Sequence, residues 1–252
     1  MIPIRVYGAD LRCVSAGDCS PLLDHSELQR AETISNPSAK LEFMKTRAIL
    51  RLVLSVDSGG VGPRDFKFAS GANGKPYLIG NGTPHFNVSH SGGMALIALA
   101  PAPLGVDIEL QNDRIDHRAI ANTVFSASEL DTLRRLPPSA LCEKFFSLWT
   151  RKEAYLKATG CGFSACLDQI STARYDGPIE DCSRKRSPER WYAFDLPAPA
   201  SYKAALVTNT DNIEISMRDI SGVTAGKIAF RSRARLMNVE RVVKSRICAE
   251  MP

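Results

Sequence analysis

Pro137 and Pro138 are followed by a run, residues 139–159, that contains neither proline nor glycine and stops at Gly160. Proline suits the first turn of a helix, and glycine is the residue that most easily takes the left-handed conformation just past a helix end. The run therefore predicts a long helix, roughly Ser139 to Thr159, with Phe145, Leu148 and Leu156 as an apolar stripe packed against the body of the protein. The body can supply such a surface: the chain has 252 residues, 44% apolar and 23% charged, an ordinary globular composition. Disorder, collagen and coiled coil are excluded as descriptions of the whole. No apolar run reaches transmembrane length, and Met94–Val106 is broken by Pro101 and Pro103. The N-terminal residues lack the basic-then-apolar pattern of a secretory signal. Seven cysteines without a C-x-x-C pair fit neither a zinc site nor a dense disulfide framework, and suit a reducing compartment.

Around the long helix the pattern is mixed α+β. Strands are expected at residues 2–7, 86–89, 94–100, 105–110, 167–174, 190–196, 202–208 and 212–218. Helices are expected from about Ser26 to Ile34 and from Pro37 to about Ser55, and Ser126 with Glu129 reads as a capping box opening a short one. Pro101 and Pro103 mark a turn and a possible division of the chain.

Four places could carry chemistry. In Gly105-Val106-Asp107-Ile108-Glu109 the two acids lie two apart, so on a strand they share a face. Paired carboxylates repel unless something positive lies between them, and a hard divalent cation is a natural occupant; a solvated acidic strand face explains them equally simply. On the long helix Glu153 and Lys157 are four apart and share a face with Trp149, which also fits an ordinary surface ion pair. Residues 85–93, His-Phe-Asn-Val-Ser-His-Ser-Gly-Gly, bring hydroxyl, imidazole and free backbone to a strand end, suitable contacts for phosphate or a plain polar turn. Ser89 and His90 are adjacent and point to opposite faces of a strand, which argues against a Ser–His nucleophile. Upstream, Gly74-Lys75-Pro76 places a lysine in a tight turn, and Arg47 and Arg51, one helical turn apart, could reach one anion together, with Arg30 a weaker candidate; exposure to water is the simpler account of each cation taken alone.

In combination these segments resemble the Sfp-type 4′-phosphopantetheinyl transferases. The resemblance rests on Gly74-Lys75-Pro76, Phe86-Asn87-Val88-Ser89-His90-Ser91, Gly105-Val106-Asp107-Ile108-Glu109 and Trp149-Thr150-Arg151-Lys152-Glu153-Ala154-Tyr155-Leu156-Lys157, and extends from about residue 28 to about residue 208. It implies an enzyme that uses Mg²⁺ and coenzyme A and moves the phosphopantetheine arm onto a serine of an apo acyl, peptidyl or aryl carrier protein, releasing adenosine 3′,5′-bisphosphate. It implies Asp107, Glu109 and Glu153 as metal ligands. Ser89 and His90 would contact coenzyme A phosphates, with Arg47, Lys75 and Pro76 near the nucleotide and Lys157 by the pyrophosphate. Glu153, Lys157 and His90 would take the catalytic roles, Glu153 as base. The implied fold is two similar α/β halves related by a pseudo-twofold, residues 1–103 and 104–225, in a cytoplasmic monomer. The sequence does not choose among fatty-acid, polyketide, nonribosomal-peptide and siderophore carriers.

Residues 226–252 form a basic tail. From 227 onward there are seven lysines and arginines against two glutamates, and the remainder of the chain is balanced at 25 of each sign. The tail is expected to help attract acidic carriers, or to be a solvated end. Neither membrane nor nucleic acid is an expected partner: Phe230 is the one aromatic near the tail's basic groups, and a nucleic-acid-binding module would leave the acidic blocks without a purpose. A Mg²⁺-dependent nucleotide pyrophosphatase is the other enzyme class that could use the same cluster.

Overall fold

The structure is a computed structural model that describes residues 1–71, 73–162, 166–174, 177–184, 188–224, 226–230 and 235–238. In chain order it contains β1 (Ile2–Asp10), α1 (His25–Glu32), α2 (Pro37–Asp57), β2 (Phe68–Ser70), β3 (Pro76–Leu78), β4 (His85–Ser91), β5 (Met94–Ala100), β6 (Leu104–Leu110), α3 (His117–Val124), α4 (Ala127–Arg134) and α5 (Pro138–Thr159). There follow β7 (Ile170–Ser171), β8 (Glu180–Asp181), β9 (Tyr192–Leu196), β10 (Tyr202–Thr208), β11 (Ile213–Thr224), β12 (Lys227–Phe230) and β13 (Arg235–Asn238).

The expected elements form where local chemistry dictates them. Asn36 caps α2 by accepting from the Ser38 and Ala39 amides, and Pro37 occupies its first turn. Gly160 ends α5 at φ 69°, donating to the Leu156 carbonyl. Ser126 and Glu129 make the capping box of α4. Gly92 and Gly93, both at positive φ, form the turn of the β4–β5 hairpin, so their backbone is used by the fold. Gly92 O accepts from the Tyr202 hydroxyl and Gly93 O from the Leu11 amide.

One expectation fails and one helix is new. Residues 167–174 are a single 3₁₀ turn and a two-residue strand, because the Thr172 amide donates to Glu129 where a strand would pair it with a neighbour. Helix α3, capped by Asp116, was not foreseen.

The larger sheet runs β12-β11-β1-β5-β4, with β13 also paired to β11, and a smaller one runs β6-β10-β9. Strand alternation sorts the larger sheet into two faces. Tyr7, Ala9, Ala95, Ile97 and Leu99 pack with α2; Ile4, Val6, Leu96, Ala98 and Ala100 pack on Leu104, Val106, Ile108 and Leu206 of the smaller sheet. The far face of the smaller sheet, with Ala205 and Val207, meets α5. The order of layers is thus α2, large sheet, small sheet, α5, and residues 101–103 carry the chain from one sheet to the other. Strand β11, from late in the chain, pairs parallel with β1. The first residues of the basic tail are strands on β11, and residues 239–252 lie outside the described residues. Cys13, Cys19, Cys142, Cys166 and Cys182 form no disulfide among the described residues, and no described helix is long and apolar enough to cross a membrane.

Helix α5 rests on β6 at Gly105, where a Cβ would lie 2.1 Å from the Ala154 carbonyl and 2.4 Å from the Ala158 nitrogen. Backbone cannot yield as a side chain can. Gly105→Ala should therefore cost about 2 kcal/mol or more in urea denaturation, against about 0.5 kcal/mol or less for Gly222→Ala, whose Cβ would meet nothing within 4 Å.

Candidate active site

The close approach at Gly105 lays α5 along the face of β6 that carries Asp107 and Glu109. Asp107 and Glu153 are both buried. Lys157 Nζ lies 2.6 Å from Asp107 Oδ1 and donates to Ser89 Oγ at 2.8 Å. The Ser89 hydroxyl donates to Asp107 Oδ1 at 2.7 Å, and the Ser91 hydroxyl donates to Glu109 Oε2 at 2.7 Å. Lys157 therefore meets Asp107, from a distant segment; a surface pair with Glu153 does not form. Asp107 Oδ2 and Glu153 Oε1 are buried with no hydrogen-bond partner.

The electrostatics follow. Burial, then the neighbouring Asp107 and Glu109 charges, push the Glu153 carboxyl up to about 7, with Lys157 opposing. Burial also raises Glu109, and the Ser91 and Trp149 hydrogen bonds pull it back. Three carboxylates thus share one nearby ammonium.

Other expected contacts are distributed differently. The Lys75 ammonium donates to the Leu104 and Ala158 carbonyls, clasping the end of α5, and burial lowers it to about 8. Its stem and Pro76 line a cavity of about 260 Å³ with Asn87, Glu153, Leu156 and Lys157. A second cavity, about 640 Å³, shares Lys75 and Pro76 and continues past Tyr77 and His85. Arg47 pairs with Glu27 at 2.6 Å and lies over the Phe68 ring. Arg51 is fully buried against Asp24, Glu27 and the Pro63 and Phe66 carbonyls. The anion the two arginines reach together is the protein's own Glu27, which corrects the expectation of a shared ligand site and of simple exposure. His90 projects from the opposite face of β4 to Ser89, is partly exposed, and has Glu42 of α2 3.5 Å away. The structure thus brings Asp107, Glu109, Glu153, Lys157 and Ser89 together and sets His90 and Arg47 apart on the α2 side.

Residues flanking Glu153 brace it. Arg151 makes two hydrogen bonds to Asp195, both 2.7 Å, and one to the Thr172 carbonyl. Lys152 is buried against Glu129 at 2.8 Å and donates to the Leu167 and Ile170 carbonyls. Sequence reading gave Arg151 and Lys152 no role of their own, although two adjacent charges inside an otherwise apolar helix face were the available signal. Ser91 was also missed as a carboxylate partner; its period-two spacing from Ser89 was the clue.

Among the described residues no three His, Cys, Asp or Glu side chains converge as a preformed metal cage. The acidic trio nonetheless has the hard oxygen donors, and the unsatisfied oxygens, that suit a cation completing its shell with water and phosphate.

Comparison with known proteins bears on the same segments. The model of the 4′-phosphopantetheinyl transferase superfamily matches residues 103–207, which include Asp107, Glu109, Glu153 and Lys157. The chain is 37% identical over 183 residues to the 4′-phosphopantetheinyl transferase HetI of Nostoc sp., a match covering 71% of this chain and 75% of that one. It is 29% identical over 207 residues to a 4′-phosphopantetheinyl transferase of Bacillus subtilis, covering 81% and 91%. A Synechocystis sp. protein, slr0495, is 35% identical over 152 residues, covering 59% of this chain and 61% of its own length.

The raised Glu153 carboxyl has a consequence for stability. Between its ordinary value of 4.5 and about 7 the unfolded chain has lost this proton while the folded chain keeps it. The contribution therefore lowers stability as pH rises through that window and levels off above it. Glu153→Gln should make the metal-free protein about 1–2 kcal/mol more stable than wild type at pH 8 and leave it nearly unchanged at pH 4. Urea midpoints at the two pH values check this, and no gain at pH 8 would contradict an uncompensated carboxylate.

Proposed function

Because the chain belongs to the 4′-phosphopantetheinyl transferase superfamily, we propose that it transfers the phosphopantetheine arm of coenzyme A to a serine of an apo carrier protein. The observation that carries this reading is the under-neutralised trio Asp107, Glu109 and Glu153, with Lys157 beside it, next to a cavity between β4 and α5 that Glu153 and Lys157 line. Mg²⁺ fits the trio, and when bound it would neutralise the diphosphate of coenzyme A.

The chain's own residues do the rest. Lys157 stands where it can leave Asp107 for a phosphate oxygen and stabilise negative charge on the departing bridging oxygen. The carrier serine oxygen forms a bond to the β-phosphorus as that phosphorus–oxygen bond breaks, and adenosine 3′,5′-bisphosphate leaves. The serine proton passes to Glu153, the acidic side chain that lines the cavity beside Lys157. Pro76 and the Lys75 stem line both cavities and are assigned to the nucleotide end. His90, on the α2 side, is assigned phosphate binding in preference to a catalytic role because it faces away from the trio; Arg47 is assigned to the nucleotide end, a role that requires it to leave Glu27. Ser89 reaches a phosphate through Lys157, the group it holds.

The pseudo-twofold belongs to the same reading. It is supported by α2 lying on one sheet and α5 on the other, with the connection at residues 101–103. A single chain carrying both walls of the cavity suits a monomer, and Cys13, Cys19, Cys142, Cys166 and Cys182, in no disulfide among the described residues, suit the cytoplasm.

Intact-mass analysis of apo carriers incubated with coenzyme A and Mg²⁺ tests the proposal. Wild type should add the phosphopantetheine mass. Glu153→Gln should slow the transfer by about 100-fold or more, and Lys157→Ala should do likewise. Coenzyme A cleaved while every carrier stays unmodified would instead identify a pyrophosphatase.

A further inference from the structure

Strand β6 pairs with β10 along one edge, and its other edge has no partner strand among the described residues. That open edge is closed by side chains. The Val106 amide donates to Asn87 Oδ1 at 2.9 Å, the Ile108 amide to Ser89 Oγ at 3.3 Å, and the Leu110 amide to Ser91 Oγ at 3.2 Å. Asn87, Ser89 and Ser91 are alternate residues of β4 and their partners are alternate residues of β6, so the three contacts form a comb in register. The two serines do a second thing. Ser89 donates to Asp107 Oδ1 and Ser91 to Glu109 Oε2, each at 2.7 Å. Each serine hydroxyl thus accepts from the β6 backbone and donates to the carboxylate one residue earlier.

We propose that Asn87, Ser89 and Ser91 are a positioning comb: all three fix the open edge of β6, and the two serines decide which oxygen each carboxylate presents to the site. The inference rests on reading the acidic trio as a cation and diphosphate site, and it adds residues that do not themselves hold the ligand. A hydroxyl has one proton and two lone pairs. Ser89 spends its proton on Asp107 and its lone pairs on the Ile108 amide and the Lys157 ammonium, so it has nothing left for a ligand. With Oδ1 held by Ser89 and Lys157, Asp107 Oδ2 is the oxygen left bare. Ser91 restrains Glu109 in the same way. The comb also spans the two sheets, so a shift of one against the other would move both carboxylates. Hydrogen-bond partners of this kind orient metal-binding carboxylates and tune their affinity.

Ser91 is the informative position, since it touches one carboxylate and one amide. Ser91→Ala and Ser91→Thr in the full chain should be compared by amide hydrogen exchange and by calorimetric titration with Mg²⁺ alone. Ser91→Ala should raise exchange at Leu110 while leaving Val106 protected, and should weaken Mg²⁺ binding roughly 10-fold. Ser91→Thr keeps the hydroxyl and should behave as wild type. Asn87→Ala should raise exchange at Val106 with Mg²⁺ affinity unchanged. Loss of stability in Ser91→Ala with unaltered Mg²⁺ affinity would overturn the positioning role, as would a threonine variant that behaves like alanine. Wild type failing to bind Mg²⁺ would overturn the cation reading itself. The exchange pattern would then decide the comb alone, and unchanged exchange at Leu110 in Ser91→Ala would reject it.

Discussion

Among the described residues Lys157 is the one ammonium paired with the cluster Asp107, Glu109 and Glu153, and that imbalance organises the region around it. Like charges brought together out of water repel, and one cation cannot neutralise three anions. The cluster is held by covalent and packing constraints stronger than the repulsion: β6 carries two of the carboxylates, α5 carries the third, and Gly105 lets the two backbones approach closely. The remaining stress appears as a raised Glu153 carboxyl and two unsatisfied oxygens. A cation bound among these oxygens would relieve that stress.

Holding Glu153 in place falls to its neighbours. Arg151, Lys152 and Glu153 are consecutive on α5, about 100° apart around the axis, and each is sent to a different structure. Arg151 grips β9 through Asp195, Lys152 grips the capping box of α4 through Glu129, and Glu153 faces the cavity. Glu129 serves twice, capping its own helix at Ser126 and receiving Lys152 and Thr172. Two buried ion pairs are a costly way to stabilise a fold, but they permit one rotational setting of α5 and so one direction for Glu153 and Lys157. Arg51, buried against Asp24 and Glu27, locks α1 to α2 in a comparable way.

The two sheets are joined differently. Apolar faces meet between them, but the rim next to the site uses polar side chains of β4 to satisfy backbone amides of β6. A continuous backbone ladder would have used up the amide-facing side of β4 and drawn it onto β6. Side chains satisfy the same amides while leaving room for a ligand beside them.

Much of this could be read locally. Proline, asparagine, serine and glycine at helix ends mark α2, α4 and α5 because capping is a matter of adjacent residues, and Asp107 and Glu109 share a face because strand alternation needs no tertiary information. Residues 167–174 misled because the Thr172 amide is claimed by Glu129, more than forty residues earlier, which no local rule can show. The sequence by itself determined where most of the long elements lie and which side chains bring charge to the site. Tertiary structure decided how those charges pair: Lys157 with Asp107, Lys152 with Glu129, Arg47 and Arg51 with Glu27. Pairing is a matter of distance between segments far apart in the chain, and that distance exists only once α5 has settled on β6 and the two sheets have packed.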